Sequence, residues 1–182
     1  TVAAGYYKFA LAIMNVIIMP ITPFIQTTFP EITRSVALRQ WKQLRNLLRR
    51  TSLIAFAWTV VTGLGILIAG SWLLRIFKNG EYLPAYGAIL VLFAGYSFAN
   101  IFFWNRPLLL AFGKPNFPLV VTFLTGLVKT GLMFLLVRQF GIIMQAGLLS
   151  GYFFVSIGII VLGGLAEIRR GQAADRLTGA AS

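Results

Sequence analysis

Five runs of apolar residues, each close to the roughly 20 that cross a bilayer as a helix, fill most of this chain of 182 residues. They lie at about 2–28, 52–76, 84–112, 117–137 and 142–166. Such runs leave few folds open. A backbone in lipid must satisfy its own hydrogen bonds, so it becomes a helix or a closed barrel. Barrel strands read as short alternating segments, and these runs are long and unbroken. Hydrophobic residues make up 58% of the chain and charged residues 11%, against about 45–50% and about 25% in soluble proteins. The expected fold is an all-α integral membrane protein of five transmembrane helices. Mostly short connections favour one bundle over several domains.

The charge is one-sided: Lys and Arg number 16, Asp and Glu 4, for a net +12. In a soluble protein this would suggest nucleic acid. Here the cations flank apolar runs, which fits topogenic charge and anionic lipid headgroups instead. Arg34, Arg39, Lys42, Arg45, Arg49 and Arg50 fall in the 29–51 connection, Lys114 in the 113–116 turn, and Arg169, Arg170 and Arg176 in the tail 167–182. A five-span path puts these segments on one side, with only Arg75, Lys78 and Arg138 opposite. The richer side is expected to be cytoplasmic, in a bacterial or archaeal inner membrane, with the C-terminus inside.

The stretch "TFPEITRSVALRQWKQLRNLLRR" (28–50) reads as an amphipathic helix. Thr28 and Glu31 have capping-box spacing, with Pro30 in the first turn. Leu38, Trp41, Leu44 and Leu48 recur at helical spacing, and Arg39, Lys42, Arg45 and Arg49 line another face. A helix lying in the headgroup layer with Trp41 as its anchor is expected.

Cysteine and histidine are absent, which removes disulfides, thiolate chemistry and thiolate or imidazole metal sites. The acids are Glu31, Glu81, Glu167 and Asp175, all at span edges or in loops. No paired carboxylates, nucleophile–base set or phosphate loop is present, so neither an enzyme nor a cofactor is expected. Small residues mark helix contacts: Gly147 with Gly151, Ala146 with Ser150, then Gly158, Gly163 and Gly164. Pro20 and Pro23 should kink the first span, and Pro107 the third.

Apart from Arg75 at the very end of the second, the spans hold the cations Lys8, Arg106 and Lys129, with the amides Asn15, Asn100 and Asn105. Lys8 and Arg106 lie near enough to span ends to snorkel. Lys129 does not, since either interface is roughly 15 Å away across a core of about 30 Å. A central lysine costs roughly 2.5–3.5 kcal/mol on insertion, and no span carries a carboxylate to pair with it. A water-filled cavity holding an anionic cargo would offset that cost. Phosphate or pyrophosphate oxygens, or a sugar acid, have the right chemistry.

The stretch "GYYKFALAIMNVIIMPITPFIQTTFPEITR" resembles a helix and Pro-x-x-hydroxyl-basic turn of the polysaccharide biosynthesis transporters, within the multidrug/oligosaccharidyl-lipid/polysaccharide flippase superfamily. The order that follows is also similar: a basic loop, a long helix, "IFKNGEYLPAYGAILVLF", "LLLAFGKPNF" and "FGIIMQAGLLSGYF". At the last turn Gly141 and Gly147 depart from the family's Gly-x-x-Gly spacing. The resemblance implies most of the second six-helix bundle of a transporter with roughly twelve helices, enclosing a cavity that opens to each side in turn. The implied cargo is polyprenyl-pyrophosphate-linked oligosaccharide, moved from inner to outer leaflet. By depth in the membrane, Lys129 and Arg106 are the first cavity candidates, followed by Lys8 and Asn105.

Starting at Thr1 inside an apolar segment, the chain is expected to be the C-terminal part of a longer protein whose earlier helices complete the cavity. Two alternatives stand beside this reading. One is a drug/cation antiporter of the same superfamily, against which the absence of mid-membrane carboxylates argues. The other is a non-transporting membrane scaffold subunit, in which the buried cations could be neutralised harmlessly.

Overall fold

The computed structural model describes residues 2–18, 22–76 and 85–179. It is helical: α1 (Val2–Ile18), α2 (Thr22–Ala37), α3 (Trp41–Ile76), α4 (Tyr86–Ile101), α5 (Asn105–Ala111) and α6 (Asn116–Gly179). Among the described residues, four stretches are long and apolar enough to cross a membrane: Trp41–Gly70, Tyr86–Ala111, Asn116–Leu136 and Gly141–Leu177. Large apolar side chains such as Leu53, Phe56, Leu67, Ile68, Phe123 and Phe134 stand exposed along them. Apolar surface on that scale suits lipid, not water. The chain is an all-α membrane protein.

The first expected span is divided. α1 has 17 residues, and Pro20 falls outside the described residues. Pro23 sits in the first turn of α2, where a missing N–H costs nothing. α2 then runs through Thr28 and Pro30 to Ala37, so Thr28 and Glu31 form no capping box. Thr27 and Thr33 instead donate their hydroxyls to backbone carbonyls one turn back, at Pro23 and Phe29. α2 ends in a left-handed cap: Arg39 N–H donates to the Val36 carbonyl and Gln40 N–H to that of Ser35. Arg39 takes φ 53°, a conformation that glycine adopts freely and arginine does not.

The expected surface helix is also corrected. Trp41 to Arg50 are the first turns of α3 and continue into the second span without a break. Leu44 and Leu48 do not face lipid. They are buried with Ile32, Trp104, Leu108 and Ile168 in a core at this end of the bundle. Leu38 lies in the turn and is exposed.

α4 and α5 divide the third span at 102–104, before Pro107. Trp104 bridges the break: its indole N–H donates to Ser52 Oγ at 2.7 Å, and that hydroxyl donates to the Ile101 carbonyl at 3.0 Å. α5 stops at a second left-handed cap, with Gly113 at φ 70°. Its N–H reaches the Leu110 carbonyl, and Lys114 N–H that of Leu109. Pro115 then prevents continuation.

α6 folds back on itself at Gly141 (φ 68°, ψ −152°). Lys114, just before the first limb, meets Glu167, Phe117 abuts Gly163, and Lys129 lies over Tyr152. As one limb advances the other retreats, so Asn116–Leu136 and Gly141–Leu177 form an antiparallel hairpin. The second limb packs parallel to α4, with Ser150 donating to the Val91 carbonyl at 2.6 Å. A second core joins α1, α4 and this limb through Ala10, Met14, Ala88, Leu92 and Ala146.

Candidate functional site

Lys129 lies on the first limb of α6, and no residue in that limb's most apolar window is buried. Its Nζ lies 5.3 Å from the centroid of the Tyr152 ring, within cation–π range. The two residues share a groove of about 400 Å³ between the limbs, lined also by Leu124, Thr125, Val128, Gly147, Gly151 and Val155. A methyl group added at Gly147 or Gly151 would meet nothing within 4 Å. Those glycines hollow the groove. The close packing expected of them is made by the parallel pair: Ala146 and Ser150 are buried against α4.

Arg106 reaches the same limb two turns away. Its Nη2 stands 3.4 Å from Thr122 Oγ1, beside a hollow of about 430 Å³ lined by Leu110, Pro118, Leu119 and Phe123. Thr122, Thr125 and Lys129 fall on one helical stripe. At 1.5 Å rise per residue, Arg106 and Lys129 thus serve points about 10 Å apart along it.

The other two candidates are not brought to the groove. Asn105 is buried at the α4–α5 break, where its amide NH₂ donates to the Phe102 carbonyl at 2.6 Å. Its Oδ1 and that of Asn100 are buried without a hydrogen-bond partner among the described residues. Lys8 is exposed on α1 and does not line the groove.

At the charged end of the bundle, the basic segments expected on one side do meet. Arg39 Nη1 holds Asp175 Oδ1 at 2.6 Å, and Trp41 Nε1 donates to Asp175 Oδ2 at 2.6 Å. Arg45 donates to Gln172, and Glu167 takes both Lys114 and Arg170. Hydrogen bonds from Trp41 and then Arg39 hold the Asp175 carboxyl below its ordinary range. A hydrogen bond from Lys114 does the same for Glu167. Trp41 also stacks on Phe112, centroids 6.1 Å apart, and its ring fills the space over Gly171. Its ring is thus wedged between helices. Lys42 and Arg49 stay exposed. Lys78 lies outside the described residues, as do the side chains of Arg75 and Arg138.

Tyr152 and the role of Asp175 escaped the sequence reading. A tyrosine directly after the Gly147–Gly151 pair was the available sign of the first. Nothing local marked Asp175 as the partner of a tryptophan 134 positions away. Comparison with known protein families, characterised proteins and solved structures finds no match for the chain.

Proposed function

We propose that this chain belongs to a membrane flippase that moves polyprenyl-pyrophosphate-linked oligosaccharide from the inner to the outer leaflet for surface polysaccharide synthesis. One observation carries the reading: Lys129 lines a groove at mid-helix, with a tyrosine face for a neighbour and no carboxylate among the groove's residues. A lone ammonium in low dielectric favours an anion. Arg106 further along the stripe would give an extended diphosphate or sugar acid a second contact. The exposed face of the first limb would be covered by the other helices of a two-bundle transporter. On this reading the charged end is cytoplasmic, and its cations meet anionic lipid.

Delivery of lipid-linked glycan to the outer leaflet tests the proposal in the full-length protein. Lys129→Ala and Arg106→Ala should abolish delivery at normal protein level, and Lys129→Arg should restore part of it. Full delivery in all three variants would refute it. That result would favour the scaffold reading, in which Tyr152 alone accommodates the ammonium.

A further inference from the structure

The charged end holds a shallow cavity, widely open to the outside, of about 830 Å³ between the start of α3 and the end of α6. Its walls carry Arg39, Lys42 and Arg176, with the amides of Gln43, Asn46 and Gln172. Asp175 is there too, but both of its oxygens are taken, one by Arg39 and one by Trp41. Arg45, beside the cavity, is spent on Gln172. Lys42 and Arg176 have no ion-pair partner among the described residues. Arg176 also borders an adjoining hollow with Arg169. The chain therefore brings cations from separate segments to one concave place and leaves two of them unneutralised.

We infer that this cavity is an anion site for a phosphoryl group, held by Lys42 and Arg176 with the amide groups around them. Two cations with amide donors around them suit the several oxygens of a diphosphate or a phosphorylated headgroup. With Asp175 paired to Arg39, the remaining charge of the wall is positive, which raises the local concentration of anions. The site is separate from the Lys129 groove. At 1.5 Å per residue, Trp41–Gly70 and Gly141–Leu177 run about 45 and about 55 Å, well beyond a hydrocarbon core of about 30 Å. The cavity's charged and amide walls fit the part that overhangs the core, where a phospholipid headgroup or a soluble diphosphate could supply the phosphoryl group. The inference is independent of the transport proposal.

The full-length protein in phosphatidylcholine nanodiscs is titrated calorimetrically with inorganic pyrophosphate. In parallel, retention of phosphatidylglycerol through purification from mixed vesicles is measured by native mass spectrometry. Saturable pyrophosphate binding identifies a soluble source, and retention of phosphatidylglycerol alone a headgroup. In either case Lys42→Gln with Arg176→Gln should weaken binding about tenfold or more. Arg34→Gln with Arg50→Gln removes the same charge outside the cavity and should change little. The double variants are compared in a Lys129→Ala background, so that pyrophosphate held in the Lys129 groove does not contribute. Neither probe binding, or equal losses in the two double variants, would overturn the inference.

Discussion

The Trp41 indole and the Asp175 carboxylate, 134 positions apart in sequence, meet at 2.6 Å and tie the start of α3 to the end of α6. Arg39 completes the clasp from a left-handed backbone position. A non-glycine residue held at positive φ costs free energy, and the ion pair gives arginine a reason to be there. Asp175→Asn and Trp41→Phe should each loosen the last turns of α6. Hydrogen exchange of amides 167–177 should quicken in both variants while α4 keeps its protection. Arg39→Gly should have a mixed effect, easing the turn and removing one clasp contact. Unchanged exchange in Asp175→Asn would show that packing of Trp41 on Phe112 holds the end alone.

The same clasp sets a pH dependence. Asp175 and Glu167 are both held below their ordinary values of 3.8 and 4.5. A depressed carboxyl contributes stability that is complete above its unfolded value and is lost as pH falls through the folded one. The charged end should therefore be unchanged from neutral pH down to about 4.5 and open below that. Spin labels on the 38–40 turn and the end of α6 would report the opening as a distance increase. Asp175→Asn should remove much of the pH response, and opening already at neutral pH would contradict the assignment.

Length and apolarity made the helices legible, since a lipid solvent leaves the backbone little choice. Cation placement likewise revealed which segments share an end, and Arg39, Arg45 and Lys114 meet partners on the tail there. Periodicity could not say what an apolar stripe faces. Leu44 and Leu48 have the spacing of a lipid-bound helix, yet bury against Ile32 and Trp104. The stripe is the same in either setting, and only the tertiary partner decides. Lys129 was visible through its cost. Its neighbour Tyr152 was not, because the fold at Gly141 determines which residues of the two limbs face each other.

Enlargement should be costly at the contact of Ser150 with α4 and harmless at the open Gly147. A methyl group at Gly95, opposite Ser150, would lie 2.5 Å from the Ser150 Cα. Gly95→Ala forces α4 away from the limb, and overpacking of this kind costs typically about 1–3 kcal/mol. Gly147→Ala meets nothing within 4 Å and should leave stability nearly unchanged while narrowing the Lys129 groove. Thermal unfolding in detergent measures both. Equal stability of the two variants would mean that the Ala146 and Ser150 face is not the tight contact.

Gly141 should tolerate substitution least among the open glycines. Nothing lies within 4 Å of a methyl group added there, so sterics with neighbours are not the issue. The constraint is the backbone, since φ 68° with ψ −152° is a region essentially reserved for glycine. Gly141→Ala should cost about 1–3 kcal/mol and strain the hairpin that sets Lys129 over Tyr152. Cysteines at Gly126 and Tyr152, where a methyl on Gly126 would lie 4.0 Å from the Tyr152 ring, offer a direct readout. Cross-linking should be efficient in the parent and reduced in Gly141→Ala. Efficient cross-linking in both would mean that the limbs hold their pairing by lateral packing, whatever the turn between them.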